Sequence, residues 1–198
     1  MQNLNGAICG VILAGGKSSR FGTNKAFAQL DGICMIERVE KVMRSLFRKL
    51  IIVADASEQY EYLGHEVFQD IIKGSGPLGG ILTALSVTDA KAVFAVACDM
   101  PFINKSLASY MCSLRHDIID AVLPIIKGRP EPLFAIYSTG CLKLIKNTLS
   151  EGNFKIMDFL SFIKVRYVEE DEIRKFDPEF NSFININRQI DIERCKLK

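Results

Sequence analysis

The chain has 198 residues, 48% of them apolar, and a formal net charge of +2. That length supports a sizeable core, and so small a charge excludes a surface devoted to nucleic acid or to an anionic membrane. No run approaches the roughly 18 consecutive apolar residues of a membrane span. The apolar stretch near the N-terminus lacks a basic leader and ends in Gly-Gly, not in a cleavage site. A cytoplasmic protein folded as one domain over residues 1–198 is therefore expected, with neither nucleic acid nor membrane as partner. Cysteines at 9, 34, 98, 112, 141 and 195 are scattered without a CxxC, the usage of small core residues in a reducing compartment. Only His65 and His116 offer imidazoles, which argues against a His-rich zinc site.

In chain order, "AICGVILA" (7–14) reads as a buried strand. Met35, Ile36, Val39, Val42, Met43, Leu46 and Phe47 recur at helical spacing with charges between them. "LIIVAD" (50–55) is the next buried strand, and "EVFQD" (66–70) a short one ending on an acid. The Gly/Pro cluster of "GSGPLGGILTAL" (74–85) predicts a loop, with a helix from Ile81. "AVFAVACD" (92–99) is a third long strand, closed by Asp99 and Pro101. Asn104 or Ser106 can cap a helix carrying Leu107, Tyr110, Met111 and Leu114. Strands at 120–124 and 133–137 flank the turn-rich "IKGRPEP", and Ser138 can cap a helix with Leu142, Ile145 and Leu149. A short helix near 154–163, strands "KVRYVE" and "FININ" (183–187), and a last helix complete the chain. Buried strands alternating with amphipathic helices predict an α/β fold with a mostly parallel sheet. In such sheets ligands sit beyond the carboxyl ends of the strands. Gly15 and Gly16, Asp55, Asp70, Asp99, and Asn185 with Asn187 all follow or close predicted strands.

The stretch "VILAGGKSSRFGTNK" (11–25) leaves a buried strand through two glycines into Lys17, Arg20 and Lys25, a composition suited to phosphate. It is not a Walker loop, because GxxxxGK[ST] would require glycine at Val11. Nor do Gly15, Gly16 and Gly22 fit GxGxxG. The remaining pattern is a longer loop, in which Gly15 and Gly16 admit backbone N–H groups to phosphate. Arg20 offers a planar fork for phosphoryl oxygens, Gly22 lets the loop turn back, and Lys25 adds a point charge. A plain strand–turn–helix with solvated cations is the bland alternative. Asn185 and Asn187, two apart on a predicted strand, would share a face opposite Ile184 and Ile186.

"LAGGKSSRFGTNK" (13–25) resembles the signature loop of the GT-A-like nucleotidyltransferases, and most of all the molybdenum cofactor guanylyltransferases of the MobA type. Asp70, "GPLGGI" (76–81), "CDMPFI" (98–103), "RPEPLFAIY" (129–137) and "FININ" extend the resemblance in order over essentially the whole chain. It implies a Rossmann-like three-layer α/β/α fold with a mostly parallel mixed sheet, and transfer of GMP from GTP to molybdopterin or its molybdenum form with release of pyrophosphate. Asp99 becomes the magnesium ligand and the catalytic Asp, with Lys25 and Arg20 acting on the triphosphate. Leu13, Ala14, Gly15 and Gly16 join Asp70 and Gly79 around the nucleotide. Where the family often carries Asn, Asp55 could accept from guanine N1–H and N2–H₂ or serve as a structural strand-end acid, and Asn185 and Asn187 fall on the acceptor side. Lys127, Arg129 and Lys155 are available to an anionic acceptor or to solvent. Few general bases are required, since a phosphate monoester with a second pKa of about 6 is already ionised at neutral pH. A cytidylyltransferase on the same or another small phosphate, and a nucleotide-binding sensor without turnover, remain open. Transient contact with other cofactor-biosynthesis proteins is also expected.

Overall fold

The structure, a computed structural model, describes residues 7–15 and 24–196, without the side chains of Gln189 and residues 194–196. Strand β1 (Ile8–Leu13) lies at the centre because both of its faces are apolar. Beside it run β4 (Leu50–Val53) and β6 (Ala92–Ala97), and beyond β4 the short β5 (Glu66–Phe68), all parallel to β1. On the other flank, β9 (Phe134–Ser138) is antiparallel both to β6 and to β7 (Ala121–Ile126), and β10 (Val165–Val168) closes that edge parallel to β7. The order is β10-β7-β9-β6-β1-β4-β5, with β8 (Arg129–Pro130) folding back on β7.

Alternate residues of each central strand feed two helical layers. Ile8 and Ile12 of β1, with Phe94 and Val96 of β6, meet helices α1 (Met35–Leu46) and α3 (Lys105–Ser113). Cys9, Val11, Val93 and Ala95 meet α2 (Gly76–Val87), α4 (Leu142–Ser150) and α5 (Ile156–Leu160). This is the expected three-layer α/β/α arrangement with a mostly parallel mixed sheet. One close approach depends on glycine: a Cβ on Gly10 would stand 2.7 Å from Phe47 Cδ2 at the end of α1. Four cysteines are buried as expected, and Cys34 is partly so. Among the described residues no helix is long and apolar enough to cross a membrane.

Three departures from the sequence reading bear on the site. Helix α2 begins at Gly76, so "GPLGG" is its first turn and not a loop. Proline near the start of a helix is pre-organised for it and gives up an N–H that would be unpaired there anyway. "FININ" is not a strand: Asn181–Phe183 forms a 3₁₀ turn, and the extended residues after it touch the sheet through the Ile186 N–H, which donates to the Asp99 carbonyl at 2.9 Å. An unexpected hairpin, β2 (Gln29–Leu30) and β3 (Ile33–Cys34), turns through Asp31 and Gly32, both at positive φ, the Asp-Gly pair that a type I′ turn favours. It delivers Leu30 to a small cluster with Met35, Ile186 and Ile192 of the terminal helix α7 (Gln189–Lys196). Short helix α6 (Glu170–Ile173) follows β10.

The segment that carries Asn185 is anchored from below by rings. Phe94 meets Phe134 edge-on at 5.1 Å, and Phe134 meets Phe183 edge-on at 5.4 Å. Phe134 is fully buried. Phe134→Ala is expected to cost about 3–5 kcal/mol by removing a central ring, and hence to lower the thermal unfolding midpoint by roughly 10 °C in a chain of this size. Calorimetry of the purified variant checks this; a shift within 2–3 °C would mean the ring bears little of the fold.

Candidate active site

The sheet register brings the chemistry together. Leu13 pairs with Val53 on one side and Ala97 on the other, and Val53 pairs with Phe68, so four parallel strands end level. Two residues beyond each end stand Gly15, Asp55, Asp99 and Asp70. All four line one open cleft of about 860 Å³, with Lys25, Glu131, Asn185 and the first turn of α2 as further walls. The antiparallel β9 contributes from its start, since the Ala97 N–H donates to the Leu133 carbonyl at 3.0 Å.

Asp99 is the deepest of these acids, with a relative exposure of 6%. The Lys25 ammonium donates to its Oδ2. Its Oδ1 is buried without a hydrogen-bond partner. A buried carboxylate oxygen left without a donor is costly, and its position at the cleft marks it as a ready oxygen ligand for a hard cation. Lys25 reaches this point from a 3₁₀ turn, Lys25–Phe27, whose Ala26 is buried.

Asp55 and Asp70 face each other across the Gly15 corner. A Cβ on Gly15 would lie 3.9 Å from Asp55 Oδ2 and 4.0 Å from Asp70 Oδ2. Asp70 is half-buried, and its Oδ1 has no hydrogen-bond partner. Burial pushes its carboxyl above the usual range, and the Asp55 carboxylate adds to this while the Thr83 hydroxyl opposes it. Gly80 keeps the wall beside them thin: a Cβ there would meet Leu13 Cδ2 at 3.0 Å and Asp70 Oδ1 at 3.7 Å.

Sequence reasoning passed over Glu131. Its carboxyl is raised chiefly by burial, with the Asp99 carboxylate adding to the effect, while its Oε1 accepts the Leu133 N–H at 3.2 Å. An acid held between two prolines just before a strand that enters at the site's end of the sheet was the available signal. The expected Gly79 is displaced: its Cβ position is filled by Ser75 Oγ at 1.7 Å, so it packs inside the turn while Gly80 faces the cleft. Asn185 lines the cleft, but exposed Asn187 is not among the lining residues and donates its N–H to Asp191 Oδ2. Ala14 is buried behind Gly15, while Leu13 borders the cavity. Lys127, Arg129 and Lys155 are exposed and outside the lining. Gly16 and Arg20 lie outside the described residues.

Four carboxylates and one ammonium among the described lining residues make a cleft that takes a polyanion only together with cations. No group of three or more His, Cys, Asp or Glu side chains among the described residues is arranged to hold a metal. Magnesium is suited to one or two protein carboxylates, with water and substrate phosphate completing its shell, and Asp99 offers such a carboxylate.

Known proteins resemble the chain over the same span. Residues 10–167 match the MobA-like NTP transferase domain. A probable molybdenum cofactor guanylyltransferase of Pelotomaculum thermopropionicum is 37% identical, over 95% of this chain and 91% of the relative. A molybdenum cofactor guanylyltransferase of Desulfosudis oleivorans is 36% identical, over 96% and 95%. The crystal structure of molybdopterin-guanine dinucleotide biosynthesis protein A from Archaeoglobus fulgidus superposes with a TM-score of 0.81 at 28% identity, covering 96% of this chain and 99% of that one. With a family match across most of its length, and with its strand-end acids gathered at one glycine corner, the chain belongs to the MobA-like NTP transferase family.

Proposed function

We propose that this chain, acting as one nucleotidyltransferase domain in the cytoplasm, transfers GMP from GTP to the terminal phosphate of molybdopterin or its molybdenum form. An acceptor phosphate oxygen forms a bond to the α-phosphorus of GTP. The bond from that phosphorus to the β-phosphate bridging oxygen breaks, and pyrophosphate leaves with the electron pair. The observation that carries this reading is the meeting of Lys25 with Asp99 in the cleft that Gly15 borders. The relatives' names supply the acceptor class.

Asp99 would hold a magnesium ion through Oδ1, the buried oxygen without a partner. Bound there, the ion would supply charge neutralisation for the triphosphate. Lys25 carries a positive charge to the phosphates and offsets the charge that builds at the α-phosphorus. Gly15 leaves room for the chain to approach them, and Arg20 would join them. Asp55 and Asp70 suit the base, because guanine presents N1–H and N2–H₂ donors to acids, whereas cytosine turns an acceptor nitrogen toward that edge. Leu13 and Gly80 form the apolar floor on which a flat base can lie. Asn185 is an uncharged amide on the acceptor side, able to hold a second phosphate without adding charge.

Two measurements test this reading. Asp99→Asn is expected to lower pyrophosphate release from Mg-GTP and molybdopterin by about 10²-fold or more, with the variant still folded and its unfolding midpoint lowered by no more than roughly 10 °C, the effect of leaving the Lys25 ammonium without its carboxylate. Gross unfolding instead would assign Asp99 a structural role. With labelled nucleotides, GTP is expected to outcompete CTP, and Asp55→Ala to narrow that preference about tenfold or more, the effect of losing hydrogen bonds to a specific edge. Faster transfer from CTP in the wild-type enzyme would overturn the choice of base, and tight GTP binding without turnover would favour a sensor.

A further inference from the structure

Tyr60 lies in the 3₁₀ helix Ser57–Leu63 between β4 and β5, and its relative exposure is 1%. It is not among the cleft-lining residues. Its ring stacks on Phe27 at 5.2 Å, a contact that phenylalanine would make equally well. The hydroxyl is what packing leaves unexplained, because a buried polar group is stabilising only when its hydrogen bonds are met. Here they are met by two residues ten positions apart. The hydroxyl donates to the Ala14 carbonyl at 3.2 Å and accepts from Asn24 Nδ2 at 2.9 Å. Ala14 is fixed to the sheet, its N–H donating to the Val53 carbonyl at 2.8 Å. Asn24 is fixed to the turn that follows it: its Oδ1 accepts the Ala26 N–H at 3.2 Å and caps Lys25–Phe27. The same amide also donates to Gln59 Oε1 at 2.9 Å.

We infer that the Tyr60 hydroxyl is a positioning group for Lys25, tying the turn that carries the ammonium to the carboxyl end of β1. The linkage runs from the β1 end through the Ala14 carbonyl, the Tyr60 hydroxyl and the Asn24 amide to the capped turn, and from there to the Lys25 contact with Asp99. Burial raises the phenol to about 12, although the Asn24 hydrogen bond opposes this, so the hydroxyl keeps its proton and remains a donor to Ala14 throughout the neutral range. A lysine has four rotatable side-chain bonds, and an ammonium misplaced by about 1 Å can cost on the order of 10²-fold in rate. Holding its backbone at one fixed distance from the strand end leaves only those side-chain torsions to set the ammonium's place before substrate arrives. The inference rests on the reading of Lys25 as the ammonium that acts on the triphosphate.

The experiment compares Tyr60→Phe, Asn24→Ser and Lys25→Ala, singly and with Tyr60→Phe added to Lys25→Ala. Single-turnover transfer from labelled GTP keeps slow variants measurable. Tyr60→Phe is expected to lower kcat about tenfold with KM for GTP within about threefold, and with an unfolding midpoint within a few degrees of wild type. Asn24→Ser, which keeps an oxygen to cap the turn but loses the amide donor, is expected to do the same, and it carries the test should Tyr60→Phe not fold. In the Lys25→Ala background, Tyr60→Phe is expected to cause no further loss of kcat, because the group it positions is gone. Wild-type kcat in both Tyr60→Phe and Asn24→Ser overturns the inference. So does a full tenfold further loss in the Lys25→Ala background, which would make Tyr60 act independently of Lys25. Undiminished turnover in Lys25→Ala alone would instead overturn the reading of Lys25, and the positioning role with it.

Discussion

The contact between the Lys25 ammonium and the Asp99 carboxylate joins the two halves of this site. Lys25 belongs to the chain emerging after β1, and Asp99 closes β6. The Asp99 side chain is almost buried and that of Lys25 about three-quarters so. Leaving either charge alone in such surroundings typically costs 3–5 kcal/mol, whereas the pair together adds little net stability. Net stability therefore does not account for such a pair, and placement of charge does. In the proposed reaction the ammonium balances an acid at the bottom of an acid-rich cleft and stands where phosphate oxygens arrive. A neutral hydrogen-bonding pair at the same places would fold as well and would leave the polyanion without its counter-charge.

That placement depends on the sheet being level. Leu13, Val53, Phe68 and Ala97 are tied to one another by parallel pairing, and a cleft-lining residue stands two positions beyond each strand end. Because side chains alternate across a strand, a slip of one residue in any pairing would send that strand's apolar set to the wrong helical layer. The two cores enforce the register: Ile8 and Ile12 fit one, Cys9 and Val11 the other. Packing far from the cleft thus fixes where its acids stand. The antiparallel β9 extends the same logic, since its start beside the end of β6 brings Glu131 and Leu133 to the cleft from the opposite chain direction.

This explains which parts of the molecule could be read from sequence. Apolar runs ending on Asp99 or Asp55, and the short strand ending on Asp70, carry both their structure and their place in one signal, so the central strands and most of the cleft's acids were legible. Glu131 was not, because it precedes its strand, and only antiparallel pairing turns a residue before a strand into a neighbour of residues after one. Gly79 and Gly80 were confused because a loop reading gives both the same freedom, whereas a helix beginning at Gly76 points successive residues about 100° apart. One then packs on Ser75 and the other faces Leu13 and Asp70. Asn187 was misplaced for the converse reason. Alternation holds for any extended chain, but without a sheet partner nothing continues the segment into the site, and its N–H turns to Asp191 as α7 begins. The Asp31-Gly32 hairpin escaped because its strands are two residues long, too short to show a period.

In the proposed reaction the same charges that demand a counter-ion for the phosphates also bear on the choice of base. Asp55 and Asp70 stand close at one corner, and burial together with mutual repulsion makes Asp70 reluctant to ionise. The Asp70 oxygen without a donor favours a ligand edge rich in N–H groups, since a donor there relieves the repulsion between the two carboxyls as well as filling a lone pair. An edge that presents an acceptor would either face a carboxylate without a proton between them or require one acid to stay protonated. Discrimination of this kind does not require a residue shaped to guanine. It requires that an acid placed level by the sheet be left with too few donors of its own, and the Asp70 Oδ1, buried without a partner, is in that condition.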